Sequence, residues 1–262
     1  MINKITYLSK FTDIEEKFLA SKILDRVNIC LKRHENMFTD FIDMYKLDKF
    51  LNMLYSISDI KVKAFGGYDD SERKIIGLCP DYKELENNDF PIVPIEIILK
   101  ASKTNISHRD YLGSILSLGI DRSKIGDILV VDDKKAVIFV HKDIHFYIIN
   151  NLFKIKNTKI EIKEIKFEEI VIPQPKIKEI NATVSSLRAD AILSCGFQIS
   201  RSKVVNLVKN EKALINGKVA TPSSNVKVND FLTLRGFGRI KLEEIKGKTR
   251  KNRINVVIHR YV

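Results

Sequence analysis

A Pro-x-Pro pair two-thirds of the way along the chain limits the folds open to it more than any other feature. Residues 171–180 read VIPQPKIKEI, with Pro173 and Pro175 two apart and lysines alternating after them. Proline fixes φ and removes an amide donor, so neither a helix interior nor a central strand runs through such a stretch. The sequence therefore predicts a semi-rigid linker over 173–180 with separate structure on either side. Charge divides at the same place. Residues 181–262 hold 16 Lys and Arg against 5 Asp and Glu, a net of +11, and residues 1–180 hold 29 against 28, a net of +1. A lysine excess spread over a whole surface serves solubility, whereas one confined to a third of the chain is a footprint for a polyanion. Nucleic acid fits that footprint best. A membrane surface and an acidic protein are the other classes open.

With 262 residues, 44% of them apolar, the chain can bury more than one core. No apolar run approaches the ~18 residues of a membrane span, and MINKITYLSKFTDIEEKF at the start has no apolar signal core. A cytoplasmic protein without membrane contact is the expectation. Cys30, Cys79 and Cys195 are odd in number and far apart, with no C-x-x-C pair, so neither a disulfide framework nor a zinc site is expected. They read as buried fillers.

Residues 1–73 read as a helical amino-terminal unit. TDIE, Thr12 to Glu15, has the form of a capping box, and Ile14, Phe18, Ile23, Val27 and Leu31 follow at helical spacing. TDFIDMYKLDKFLNMLY predicts a second helix after Thr39, and FGGYDDSER at 65–73 breaks the pattern and marks a boundary. Residues 74–172 alternate. KIIGLC, IEIILK, DILVV, KAVIFV and KIEIKEIK read as strands, and SHRDYLGSILSLG, capped by Ser107 with Asp110 at its third position, and KDIHFYIINNLFKI read as helices. From IEIILK onward the order is β-α-β-β-α-β, the split βαβ of a ferredoxin-like or RRM-like middle domain. KKAVIFVH lacks the alternating aromatics on which a standard RNA-recognition motif stacks bases. The fold class is thus α+β.

In residues 181–262, SSLRADAILSCG predicts a short helix ending at Gly196, and SRSKVVNLVKN a second one capped by Ser200. Val204, Val205, Leu207 and Val208 share one side of it, and Ser202, Lys203, Asn206, Lys209 and Asn210 the other. Asn216-Gly217 is a hairpin turn, and NDFLTLRGFGRI adds a strand with Arg235 and Arg239. A helix start offers free N–H groups and a partial positive charge, which suit phosphate. Ser200 caps one N–H; Ser202 adds a hydroxyl, and Arg201 and Lys203 add full charges. With Arg188, Asn206, Lys209, Lys218, Arg235 and Arg239 they form the expected RNA-binding set. The plainer reading is a capped surface helix with solvated charges.

Arg188-Ala189-Asp190, Ser200 to Lys203 and Ile215-Asn216-Gly217 together resemble the S4 RNA-binding domain, an alpha-L module found in ribosomal protein S4, tyrosyl-tRNA synthetases and pseudouridine synthases. That family usually has glycine after the second helix, where this chain has Glu211, a departure that bears on the shape of that helix end. GGYDDSER, HRDYLGSILSLGIDRSKIGDI and RGFGRI resemble signatures of the YlmH-like family of bacterial proteins, over most of the chain. The resemblance implies a non-catalytic factor in ribosome-associated quality control. It would bind ribosomal RNA and tRNA on the large ribosomal subunit with stalled peptidyl-tRNA and help elongate the C-terminal tail of the stalled chain.

A pseudouridine synthase is a rival class, since Arg109 and Asp110 place an arginine beside an aspartate. The middle domain that precedes the RNA-binding module has only about 100 residues, however, whereas the synthases' catalytic domain is larger and follows the module; Asp110 also fits as a cap partner. No catalytic residue is assigned. His108, Arg109, Arg122 and Lys124 form a possible second RNA contact. His141 and His145 are four apart on an expected helix, without a third ligand for a metal, and no G-x-x-x-x-G-K-[ST] loop is present. No cofactor is expected. The third class is a division-associated scaffold meeting its partner through KGKTRKNRINVVIHRYV, although RINVVIHRY alternates like a strand. The chain is expected to act as a monomer.

Overall fold

The computed structural model describes residues 3–100, 106–173, 177–249 and 252–261; Pro175 of the expected linker and Arg250 and Lys251 of the basic tail lie outside the described residues. The chain forms two units, Met1–Pro173 and Gln174–Val262.

The first unit opens with α1 (Lys4–Leu8), α2 (Ile14–Arg33), β1 (Met37–Asp43), α3 (Met44–Leu54), β2 (Ile60–Phe65) and β3 (Arg73–Pro80). Helix α2 buries Ala20, Ile23, Leu24, Val27 and Cys30, one stripe at three-to-four spacing, while Ile14 and Phe18 stay exposed. Its cap is Asp13, which accepts from the Glu16 N–H at 2.8 Å, one residue beyond the expected Thr12. Helices are present as expected, and a sheet of order β1-β3-β2 accompanies them. TDFID, the expected start of the second helix, instead belongs to strand β1. Its register with β3 shifts between Phe38 and Phe41, and the Thr39 hydroxyl there accepts from the Ile76 N–H at 2.9 Å. A buried threonine at a bulge replaces a ladder bond instead of capping a helix. Strand β3 is the central strand, so this sheet continues past the break at residue 73.

The remainder of the unit is β4 (Ile92–Leu99), α4 (His108–Leu116), β5 (Ile125–Val130), β6 (Lys135–His141), α5 (His145–Asn151), β7 (Lys154–Ile155) and β8 (Thr158–Glu164). The sheet order is β5-β6-β4-β8-β7 with antiparallel neighbours, which is the split βαβ arrangement plus one short edge strand. Helices α4 and α5 cover one face through Tyr111, Ile115, Ile148 and Leu152. The other face is covered too: Val137 and Phe139 pack with Phe41, Phe65, Ile75 and Cys79 of the preceding elements. His141 ends β6 and His145 opens α5, so the two do not share a helical face. His145 Nδ1 lies 2.6 Å from the Lys142 carbonyl and the ring is buried.

The second unit comprises β9 (Ile177–Val184), α6 (Ala189–Phe197), α7 (Arg201–Lys209), β10 (Ala213–Ile215), β11 (Lys218–Val219), β12 (Phe231–Leu234), β13 (Gly238–Lys248) and β14 (Ile254–Tyr261), with sheet order β11-β10-β12-β13-β14-β9. Strand β9 takes residues 177–180 out of the expected linker. It pairs along its whole length with β14, and Ile180 and Val184 of its alternating pattern reach the core. An edge strand needs partners on one side only, so a proline-containing sequence ahead of it does not exclude it. Gly196 is not the end of α6: it is buried inside the helix, where a Cβ would lie 2.5 Å from Ile240, and Gln198 caps the end at φ 55. Asn216 and Gly217, at φ 48 and 77, make the two-residue turn between Ile215 and Lys218.

Candidate nucleic-acid interface

Helix α7 presents its polar side outward. Val204 and Val208 are buried in the unit's core, and Ser202, Lys203, Asn206 and Lys209 are exposed. Ser200 caps the helix, accepting from the Lys203 N–H at 3.4 Å, and its hydroxyl lies 3.3 Å from that of Ser202. Glu211, at φ 56, takes the left-handed conformation that glycine usually supplies at a helix end, and the Lys212 N–H reaches the Leu207 carbonyl at 3.0 Å. The helix end therefore keeps the geometry on which the departure from the family pattern bears.

The four donors at the start of α7 do not act alike. Arg201 donates from Nε to Asp190 Oδ2 at 2.9 Å and from Nη2 to Oδ1 at 3.0 Å. Asp190 is only 3% exposed, so this is a fork-shaped grip on a buried carboxylate. Arg188 Nε adds a weaker contact to the same carboxylate at 3.4 Å. The expectation that Arg201 is a free phosphate-gripping charge is corrected on this point: its guanidinium is largely neutralised, because Asp190 is held in the core beneath it. Lys203 has no carboxylate partner among the described residues, and its Nζ lies 5.3 Å from the centre of the Phe237 ring. Arg239 stacks on Phe231 at 4.7 Å. Arg235 and Lys218 are exposed. Sequence reasoning missed Asp190 as the partner of Arg201 and the two rings as platforms. The aromatic between two arginines in RGFGR was the signal for the second.

The expected second contact separates. His108 and Arg109 are exposed at the start of α4. Arg122 is turned inward, donating to the Ile125 carbonyl at 2.6 Å, and burial holds its pKa down at about 10. Lys124 is paired with Asp40 at 2.9 Å and Asp143 at 3.0 Å. Arg122 and Lys124 are thus structural, which corrects their place in that set. Asp110 closes the Ser107 capping box and meets Lys156 at 2.9 Å. The Ser107 amide bond, first, and Lys156 hold its pKa near 2. The GGYDDSER segment is structural as well. Asp127 accepts from the Glu72 and Arg73 amides at 2.7 and 3.1 Å and from the Tyr68 hydroxyl at 2.9 Å. Arg73, 8% exposed, pairs with Asp43 and donates to the Ile125, Phe41 and Arg122 carbonyls. A Cβ on Gly67, at φ 106, would lie 2.3 Å from the Phe139 ring. No group of three or more His, Cys, Asp or Glu among the described residues is arranged to hold a metal, and no helix among them is long and apolar enough to cross a membrane.

Fold and surface define a class: an α+β protein with an S4 domain behind a split βαβ unit. Residues 187–232 match the family model of the S4 domain. Residues 15–83 match "YlmH, N-terminal", and residues 86–169 match "Putative RNA-binding domain in YlmH". The Bacillus subtilis (strain 168) "Ribosome-associated protein quality control protein P2" is 30% identical over 247 residues, 94% of this chain and 95% of that protein. The solved structure of "Cell division protein ylmH from Streptococcus pneumoniae" shares 25% identity and a TM-score of 0.52, covering 62% of this chain and 97% of that one. The chain belongs to the YlmH family.

Proposed function

We propose that this protein is a non-catalytic, cytoplasmic RNA-binding factor that acts as a monomer on the large ribosomal subunit in ribosome-associated quality control. It would contact ribosomal RNA and tRNA where a peptidyl-tRNA is stalled and support elongation of the stalled chain's tail. The observation that carries this reading is the exposed polar face of α7, with Lys203, Asn206 and Lys209 beside Arg235 and Lys218, in a unit that matches the S4 domain. The name of the Bacillus subtilis relative supports the ribosomal setting. Within the S4 unit, Lys203, Asn206, Lys209, Lys218 and Arg235 touch RNA; Arg188 and Arg201 hold Asp190 and set the helix start, and Arg239 contributes through its stack on Phe231.

The test is sedimentation of cell lysate. The protein should travel with large subunits and be stripped off by high salt, and Lys203→Ala with Lys209→Ala should move it to the free pool. Wild-type protein found only in the free pool would favour the division-associated scaffold, a second reading that the name of the Streptococcus relative supports. Release of isotope from labelled tRNA or ribosomal RNA would instead expose a pseudouridine synthase.

A further inference from the structure

An RNA-recognition-type sheet stacks bases on its open face. In this chain that face is closed, with Val137 and Phe139 fully buried under the elements before them. Any RNA bound by residues 86–169 must use another surface. A groove lies on the opposite, helical side, between α4 and the α5–β7 corner, with a volume of about 520 Å³. That falls within the ~300–1,000 Å³ of small-ligand sites.

Its lining suits a nucleotide. Phe153, on the rim, is 71% exposed although it is a large apolar ring in a chain with ample core. Arg109 and Lys154 line the same groove, both exposed and without a carboxylate partner among the described ion pairs. Lys156 is committed to Asp110, so that pair cancels and the groove keeps the charge of Arg109 and Lys154. Gly113 lines the wall from α4, and a Cβ there would meet nothing within 4 Å. An exposed ring that shares a groove with two cations is the chemistry that holds single-stranded nucleic acid, the ring stacking a base and the cations following the backbone.

We infer that this groove binds a single-stranded stretch of RNA, one base stacked on Phe153 and adjoining phosphates on Arg109 and Lys154. The inference rests on the RNA-binding reading above and places a second contact far from the S4 surface in sequence. The test uses the full chain and a short labelled single-stranded RNA, the same strand without bases, and a labelled RNA hairpin. Phe153→Ala should weaken single-strand binding on the order of tenfold and leave the baseless strand unaffected. Lys154→Ala should lower the salt slope of single-strand binding by about 0.7. Gly113→Leu should weaken it as well, while helix propensity preserves the fold. Unchanged single-strand affinity in folded Phe153→Ala and Gly113→Leu proteins overturns the inference. If Lys203→Ala still loses hairpin binding in that case, the S4 reading stands alone; if the wild type binds no hairpin, that reading falls instead. Loss of polyglutamate binding with RNA affinity intact would assign the groove to an acidic protein and overturn the inference equally.

Discussion

Arg201 shows how far a residue type can be read without its neighbours. Ser-Arg-Ser-Lys at a helix start displays its charges in the sequence, but the carboxylate that takes one of them lies eleven positions earlier, at Asp190, and only folding brings the two together. Removing Arg201 leaves a buried carboxylate with one weak contact. Arg201→Ala should therefore destabilise the second unit, by about 1–3 kcal/mol since the guanidinium is half exposed. Lys203→Ala should stay within about 0.5 kcal/mol of wild type and yet weaken RNA binding. Thermal unfolding beside an RNA titration separates the two; a stable Arg201→Ala protein would return that side chain to the free charges. Arg73 makes the same point for the first unit. Its donors reach three carbonyls and Asp43, so Arg73→Ala should cost about 3–5 kcal/mol. That would appear as a lower urea midpoint at unchanged slope.

At the scale of elements, legibility follows how local the determining contacts are. Helix α4 was readable to its cap, because Ser107 and Asp110 lie within one turn of each other. Its acid dependence is correspondingly local. The folded pKa of Asp110, near 2, lies below the ordinary 3.8, so its stabilising contribution is complete above about pH 4 and fades as pH falls toward 2. Asp110→Asn should lower the unfolding temperature near neutrality, and the gap from wild type should narrow through that window; a constant gap would mean that the cap bonds do not depend on the charge. Strand β1 was illegible for the opposite reason. TDFID offers a helix cap and no alternation, since a bulge between Phe38 and Phe41 breaks the period, and what decides the strand is pairing with β3 more than thirty residues away. Strand β9 was hidden by the two prolines that precede it in the sequence, although its alternation was in plain view. Of the interface, the polar face of α7 could be read from period alone. The engagement of Arg122 and Lys124 could not, because their partners come from the following strand, from β1 and from the turn after β6.

Across the whole molecule, charge and core divide along the same line. Most of the positive excess lies after residue 180, and every buried member of the core around α6 and α7 comes from Ile180 to Ile258. A unit with a complete core of its own should fold alone. Residues 174–262 expressed separately should therefore unfold cooperatively and bind an RNA hairpin with nearly the salt dependence of the full chain. If about six phosphates are contacted, affinity should fall on the order of a thousandfold between 50 and 200 mM salt. The first unit, close to neutral overall, should add little to that slope. What the fragment should lose is the single-strand binding that depends on Phe153, because the ring, the groove wall and the two cations proposed to hold the strand all lie before residue 174. A fragment that binds hairpins with a much shallower salt slope would show that the phosphate contacts are shared between the units, and that the charge asymmetry of the sequence misplaces the electrostatic work.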